Sequence, residues 1–294
     1  MSIKIYVDAA SNLFPGLIKK KNVDITLINM ILYVEDKTYN CYEDNINIDE
    51  FSKSFYEEMR EGKAVHTSLI NPDTYLNAFR KDVELGHQII CFTMAKGISG
   101  TYQSACIARD MINEEFNRGA VYVIDSATAG FGEGLQAIYA AKLVKKGKSF
   151  EEIIKEMEEF KWKVRSEFTV DDVRYLIKTG RVKQIVAKIA NILRIKVLLR
   201  GGYESTIEMT SKVAGRTLAI KKLAKQCSEH IRNKDDQVIY ISHCDCLEDA
   251  YRLRDLLNKD GIRNIEIYNY DLITGSHIGP QSLAIFYVGE NRDL

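Results

Sequence analysis

The chain has 294 residues, 46% hydrophobic and 28% charged, and its 41 basic and 41 acidic side chains leave no formal net charge. Neutrality removes any global field for nucleic acid or another polyanion, and the length favours two domains over one, because single cores stop growing near about 250–300 residues. No run of 18 apolar residues offers a membrane span, and the start, MSIKIYVDAAS, lacks the apolar stretch of an export signal, so a cytoplasmic location is expected. Cys41, Cys91, Cys106, Cys227, Cys244 and Cys246 show no framework spacing and read as free thiols.

In chain order, IKIYVD reads as a short first strand, and residues 20–60, with DITLINMILYVEDKTYNCYED, as an inserted excursion of short strands. HQIICFTMA and GAVYVIDSA read as buried strands. Between them, GTYQSACIARDMINEEF carries Ala105, Ile107, Ala108, Met111 and Ile112 at helical spacing, which is the strand–helix–strand order of a parallel α/β sheet. A further helix, GLQAIYAAKLVKKG, stops at Gly147. Ser149 and Glu152 form a capping-box pattern at the head of SFEEIIKEMEEFKWKV. Beyond it SEFTV, KVLLR, STIEMTSK, QVIYISHC and NIEIYNYD read as strands with fewer helices between them. The expectation is an N-terminal α/β domain over residues 1–160 and a C-terminal α+β domain with a mixed sheet over 161–294.

Ligands of a doubly wound sheet gather outside the carboxyl ends of its strands. Four polar clusters fall at such ends: Asp8 and Ser11, Thr67 and Ser68, Gly97 to Thr101, and Asp125 with Ser126 and Thr128. Ser99 or Gly100 would precede the first turn of a helix, where unpaired amides and the helix dipole favour a carboxylate or phosphate. Each of these residues also suits plain helix capping.

From Val173 to Tyr203 the sequence contains Arg174, Lys178, Arg181, Lys183, Lys188, Arg194, Lys196 and Arg200 and no acid. Ile185, Val186, Ile189, Ile192 and Leu193 would share one helical face there. A rim of Arg181, Lys183, Lys188 and Arg194 suits contact with a partner or a transient contact with a membrane surface. A solvated basic face, balanced by the acidic run EEIIKEMEEF, is the plain alternative. With only Tyr175 and Tyr203 nearby to stack on bases, nucleic-acid binding is not expected.

Five segments in order resemble the DegV family: TSLINP at 67–72 beside the family's TSQPSP, ISGTYQSA at 98–105 beside LSGTYQSA, DSATAGFGEG at 125–134, RYLIKTGRV at 174–182, and GSHIGP at 275–280. The resemblance covers nearly the whole chain. It implies a two-domain DegV-like fold, with a Rossmann-like parallel sheet first and the α+β domain second, that holds a long-chain fatty acid in a tunnel between them. It also implies that the carboxylate is presented to a separate fatty acid kinase in phospholipid synthesis, by a chain that is not itself catalytic and has no cofactor. Carried onto this sequence, it makes Thr67 and Ser99 donors to the carboxylate, with Gly100 and Ser126 beside them and His277 arriving from the second domain. Ala9, Ala10, Ile70, Asn71, Gly130, Val197 and Ala214 depart from the family pattern and leave Thr67, Ser99 and His277 intact.

Other chemistries are less well supported. A serine hydrolase or acyl-transfer enzyme would use Ser99 or Ser126 with His277 as base and Asp8 or Asp125 as orienter, but the G-x-S-x-G elbow is missing. GFGEG lacks both the dinucleotide fingerprint and the Walker lysine. HCDC at 243–246 lacks a partner CxxC, so no metal is expected.

Overall fold

The computed structural model describes residues 2–42, 47–182 and 195–292. Its first part runs through β1 (Ile3–Asp8), α1 (Pro15–Lys21), β2 (Ile25–Ile28), β3 (Ile31–Val34), β4 (Lys37–Asn40), α2 (Ile48–Arg60), β5 (Val65–Thr67) and α3 (Pro72–Glu84). It continues with β6 (Gln88–Thr93), α4 (Thr101–Glu115), β7 (Val121–Asp125), α5 (Phe131–Lys145) and α6 (Phe150–Phe160). Strands β2, β1, β6 and β7 pair in that order and all run parallel. The continuous apolar runs of β6 and β7 follow from burial on both faces: α3 and α4 cover one side and α5 the other.

The segment from 20 to 60 differs from the sequence expectation of one inserted β-rich unit. β2 joins the parallel sheet, whereas β3 and β4 pair with β5 in a separate three-stranded antiparallel sheet. Residues 48–60 form a helix, capped by the Asn47 side chain, which accepts from the Asp49 amide at 3.2 Å. Ser52, Phe55, Tyr56 and Met59 are its buried residues, a helical period sitting among charged neighbours.

The second part contains β8 (Val164–Thr169), α7 (Arg174–Lys178), β9 (Ile195–Gly201), β10 (Ile207–Ala214), α8 (Arg216–His230) and β11 (Ile239–His243). It ends with α9 (Leu247–Lys259), β12 (Ile265–Asn269), α10 (Leu272–Ile278) and β13 (Leu283–Val288). The six strands order as β10-β9-β8-β13-β11-β12, mixed because only β11 and β12 pair parallel. β13 sits in the middle of this sheet, between β8 and β11, yet LAIFYV is not among the strands expected from sequence. The Ser149–Glu152 capping box forms as expected at the start of α6, with bonds of 2.8 and 3.2 Å.

α5 joins the two sheets. It has no polar stripe, and it packs against β1 and β6 on one side and β8 and β13 on the other. At its first residue Phe131 stacks on Tyr240 of β11, with centroids 4.3 Å apart. A single apolar cluster therefore runs from Ile5 and Val123 through α5 to Phe168 and Phe286. A second cluster, including Leu223, Leu253, Leu283 and Tyr287, seats α8 and α9 on the outer face of the mixed sheet.

Three carboxyls are buried where the sheets meet. Asp8 accepts from the Ala10 and Met94 amides at 2.8 Å each, Glu133 accepts from the Asp8 amide at 3.2 Å, and Asp271 caps α10 by accepting from the Thr274 amide at 2.6 Å. Burial pushes Asp8 up to about 6, Asp271 up to about 7, and Glu133 well above the ordinary carboxylate range. The folded chain then holds protons that the unfolded chain releases. Their contribution is fully present below about pH 4 and is lost as pH rises through the folded values near 6 and 7. Denaturant unfolding measured from pH 5 to pH 8 should show stability falling with pH. Asp271→Asn, which keeps the capping oxygen, should flatten that slope and exceed wild type at pH 8.

Candidate functional site

The carboxyl ends of the parallel strands face β8, β9 and α10 across a cavity of about 470 Å³. That size lies within the roughly 300–1,000 Å³ usual for small-molecule sites. Met94, Ile98, Phe168, Leu176, Ile207 and Ile273 supply much of its apolar wall.

Thr67, Ser99, Gly100, Arg181 and His277 all line the same cavity. Thr67 ends β5. Ser99 and Gly100 form the turn into α4, whose N-cap residue, Gly100, has no side chain to bond the first turn, so the amides beyond Thr101 are left for a ligand. The Ser99 hydroxyl accepts from the Thr101 amide at 3.2 Å and lies 2.9 Å from the Thr101 hydroxyl. His277, in the last turn of α10, places Nε2 3.0 Å from Thr67 Oγ1. Burial, and then the Arg181 charge, pull the imidazole down to about 4, so it is neutral at physiological pH. With its proton on Nε2, the ring donates to Thr67 Oγ1 and leaves the threonine proton free for an acceptor in the cavity. The result is an apolar chamber whose wall carries two hydroxyls, a helix N-terminus and a guanidinium.

Other expected site residues lie elsewhere. Ser126 is fully buried outside the lining, and its hydroxyl donates to the Thr128 carbonyl at 3.1 Å. Asp8 and Ser11 are buried as well, with the Asp8 carboxyl taken up by backbone amides. Lys183, Lys188 and Arg194, with the apolar face from Ile185 to Leu193, lie outside the described residues. Of the remaining basic run, Arg174 pairs with Asp172, Lys196 with Asp171, and Arg200 with Glu208, so these charges are locally balanced. In HCDC, burial raises both thiols and Cys246 donates to the Ser282 carbonyl at 3.3 Å. Among the described residues no cluster of three or more His, Cys, Asp or Glu could hold a metal ion, and no helix is long and apolar enough to cross a membrane.

Sequence reasoning missed two features. Arg181 belongs to the cavity wall; RYLIKTGRV pointed to the residue but not to its place. The loop 202–206 closes over the cavity: Ser205, with φ 58°, donates to Asp125 at 2.6 Å, and its carbonyl lies against Gly97. No local pattern announces that contact, because it joins segments 80 residues apart. A smaller pocket of about 280 Å³ shares Thr67, Arg181 and His277 with the main cavity and adds Lys63, His66 and Lys178.

A family model described as uncharacterised protein of the DegV family matches residues 2–290. The chain belongs to the DegV family. A DegV domain-containing protein of Clostridium perfringens is 32% identical to this DegV-family chain over 290 residues, 98% of each. The crystal structure of DegV from Bacillus subtilis, described as a fatty acid binding protein, is 26% identical, covers 99% of this chain and 100% of its own, and superposes with a TM-score of 0.80. A DegV family protein from Ruminococcus gnavus, refined with vaccenic acid, is 24% identical, with a TM-score of 0.84 over 97% of this chain and 99% of that one.

Proposed function

We propose that this DegV-family protein binds a long-chain fatty acid in the 470 Å³ cavity and presents its carboxylate to a separate fatty acid kinase. The observation that carries the reading is the apolar chamber lined by Thr67, Ser99 and the N-terminus of α4, with neutral His277 bonded to Thr67. The fatty acid binding ascribed to the Bacillus subtilis protein and the vaccenic acid in the Ruminococcus gnavus one support the ligand class. Burying roughly 15 methylenes at about 0.8 kcal/mol each supplies on the order of 12 kcal/mol before ordering costs. The head group must not cancel that gain, and hydroxyls with helix amides satisfy a carboxylate that would otherwise be costly to bury.

On this reading residues 1–160 and 161–294 act as two domains that clasp the acyl chain. The adjoining pocket, where Lys178 and Arg181 stand beside a Lys63 already paired with Glu58 and Glu61, offers an anionic phosphoryl donor an approach to the carboxylate. A serine-based reaction is less well supported: among the described residues His277 bonds to Thr67 rather than to Ser99 or Ser126. Presentation to a kinase places the protein in the cytoplasm, upstream of phospholipid synthesis. Organic extraction of purified protein followed by mass spectrometry should release a saturated or monounsaturated acid of about 14 to 18 carbons, since tail burial on this scale survives purification. Finding no acyl species, with no uptake of added palmitate or oleate, would overturn the proposal.

A further inference from the structure

A second cavity, of about 350 Å³, adjoins the acyl chamber and is walled in part by Phe14, Tyr42, Ile48 and Tyr268. Many of its polar groups are already engaged. Asn12 donates to the Asn269 carbonyl at 2.9 Å and accepts from the Asp271 amide at 2.8 Å. The Tyr42 hydroxyl donates to the Ala9 carbonyl at 2.7 Å, the Tyr268 hydroxyl to Glu266 at 2.7 Å, and Asn269 to Asp49 at 2.5 Å. These residues have mostly carbon left to offer a guest.

Tyr270 alone among the described residues lines both cavities. Its chain neighbours Asn269 and Asp271 line the second cavity, while its ring reaches Gly130, next to Ala129 in the chamber wall. A β-carbon on Gly130 would stand 2.9 Å from both Cε1 and Oη of Tyr270 and 3.0 Å from Phe286 Cζ. The ring therefore fills the space that a side chain at 130 would need, and Gly130 is one of the positions where this chain departs from the family pattern. An edge contact with Phe286, at 6.0 Å between centroids and 74°, holds the ring in place.

α10 fixes where that ring stands relative to the groups placed to hold a carboxylate. Tyr270 lies just before the helix; Ile273, Thr274, His277 and Ile278 carry the chamber wall along it, and His277 in its last turn meets Thr67. At about 1.5 Å per residue, the run from Tyr270 to His277 amounts to roughly 10 Å of wall. An acyl chain anchored at Thr67 and lying along α10 thus meets Tyr270, with the second cavity on the other side of that residue.

We infer that Tyr270 is the residue that limits acyl-chain length, dividing one long channel into the chamber that takes the acid and a cavity that is closed to it. The inference rests on the reading that the carboxylate lies at Thr67 and Ser99.

The test is competition against a fluorescent fatty acid by saturated acids from lauric to lignoceric, on wild type, Tyr270→Ala and Phe168→Ala. Phe168 lines the chamber but not the second cavity, so its truncation enlarges the chamber without opening that passage. Wild-type affinity should rise with length to an optimum and then fall. In Tyr270→Ala the optimum should move to longer acids, and the affinity ratio of behenic to palmitic acid should rise about tenfold or more, the worth of one further pair of buried methylenes. Phe168→Ala should leave the optimum where it is. Tyr270→Leu, which keeps an apolar side chain in the core, should move it the same way by less, and it carries the test if the alanine variant does not fold. An unchanged optimum in the folded Tyr270 variants, or an equal shift in Phe168→Ala, overturns the inference. So does a wild type that binds behenic acid as tightly as palmitic, because the ring then sets no limit. If acids bind and lose affinity in a Thr67→Ala/Ser99→Ala variant while the optimum stays fixed in the Tyr270 variants, this inference alone fails. If no acid of any length binds the wild type, the fatty acid reading fails with it.

Discussion

Titration of a Thr67→Ala/Ser99→Ala double variant with a labelled long-chain fatty acid should show the largest binding loss of any two substitutions in the cavity wall. Each hydroxyl can give a carboxylate one charge-assisted hydrogen bond, worth roughly 1.5–3 kcal/mol. Each single variant should therefore weaken binding by about ten- to a hundredfold. The double variant should fall short of the product, because both groups serve the same carboxylate and the α4 amides remain. Thr67→Ala also removes the partner of His277 Nε2, whose Nδ1 is already buried without a hydrogen bond, so it should cost more than Ser99→Ala. A fatty acid methyl ester is the control: it carries no charge, and its weaker binding should change little between wild type and the double variant. Unchanged affinity for the acid in a folded double variant would place the carboxylate elsewhere.

Gly97→Ala should be the most damaging small substitution near the site. Its β-carbon would stand 2.3 Å from the Ser205 carbonyl oxygen and 2.8 Å from Thr206 Cγ2, well inside contact distance. Ser205 cannot retreat freely, because its hydroxyl is held by the buried Asp125 carboxylate and its backbone already has positive φ. The expected cost is about 1–3 kcal/mol of stability from overpacking, read as a melting temperature lower by several degrees. Fatty acid affinity should fall as well, since the displaced loop forms part of the cavity wall. Thr206→Ser, which removes only the Cγ2 methyl, should not rescue the variant, because the obstructing atom is a backbone oxygen. Full recovery in the Gly97→Ala/Thr206→Ser pair would show that the methyl was the obstacle.

The site was legible in part. Ser99 and Gly100 stand out locally because an apolar strand, a small-residue turn and a helix start follow one another within a dozen residues. Thr67 and His277 lie 210 residues apart and are tied by one hydrogen bond, so no spacing argument joins them; the DegV resemblance did so, motif by motif. Ser126 shows the limit of that route. Its motif sits at the expected strand end, but the backbone after β7 turns its hydroxyl toward the Thr128 carbonyl rather than into the chamber.

By itself the sequence determined the elements whose periodicity and caps are local. β1, β6 and β7, the helix α4 between the latter two, and the Ser149 cap of α6 each depend on side chains within about one element's length. It also determined that the chain is neutral, uses its cysteines as thiols and lacks a long apolar span. The tertiary structure decided which strand belongs to which sheet. β2 reads like its neighbours β3 and β4 but pairs with β1, and β13, last in the chain, enters the middle of the six-stranded sheet. It also decided which polar groups share a cavity. Pairing and burial depend on contacts between residues far apart in the chain, and those contacts are stabilised collectively by the core around α5 rather than by any short segment.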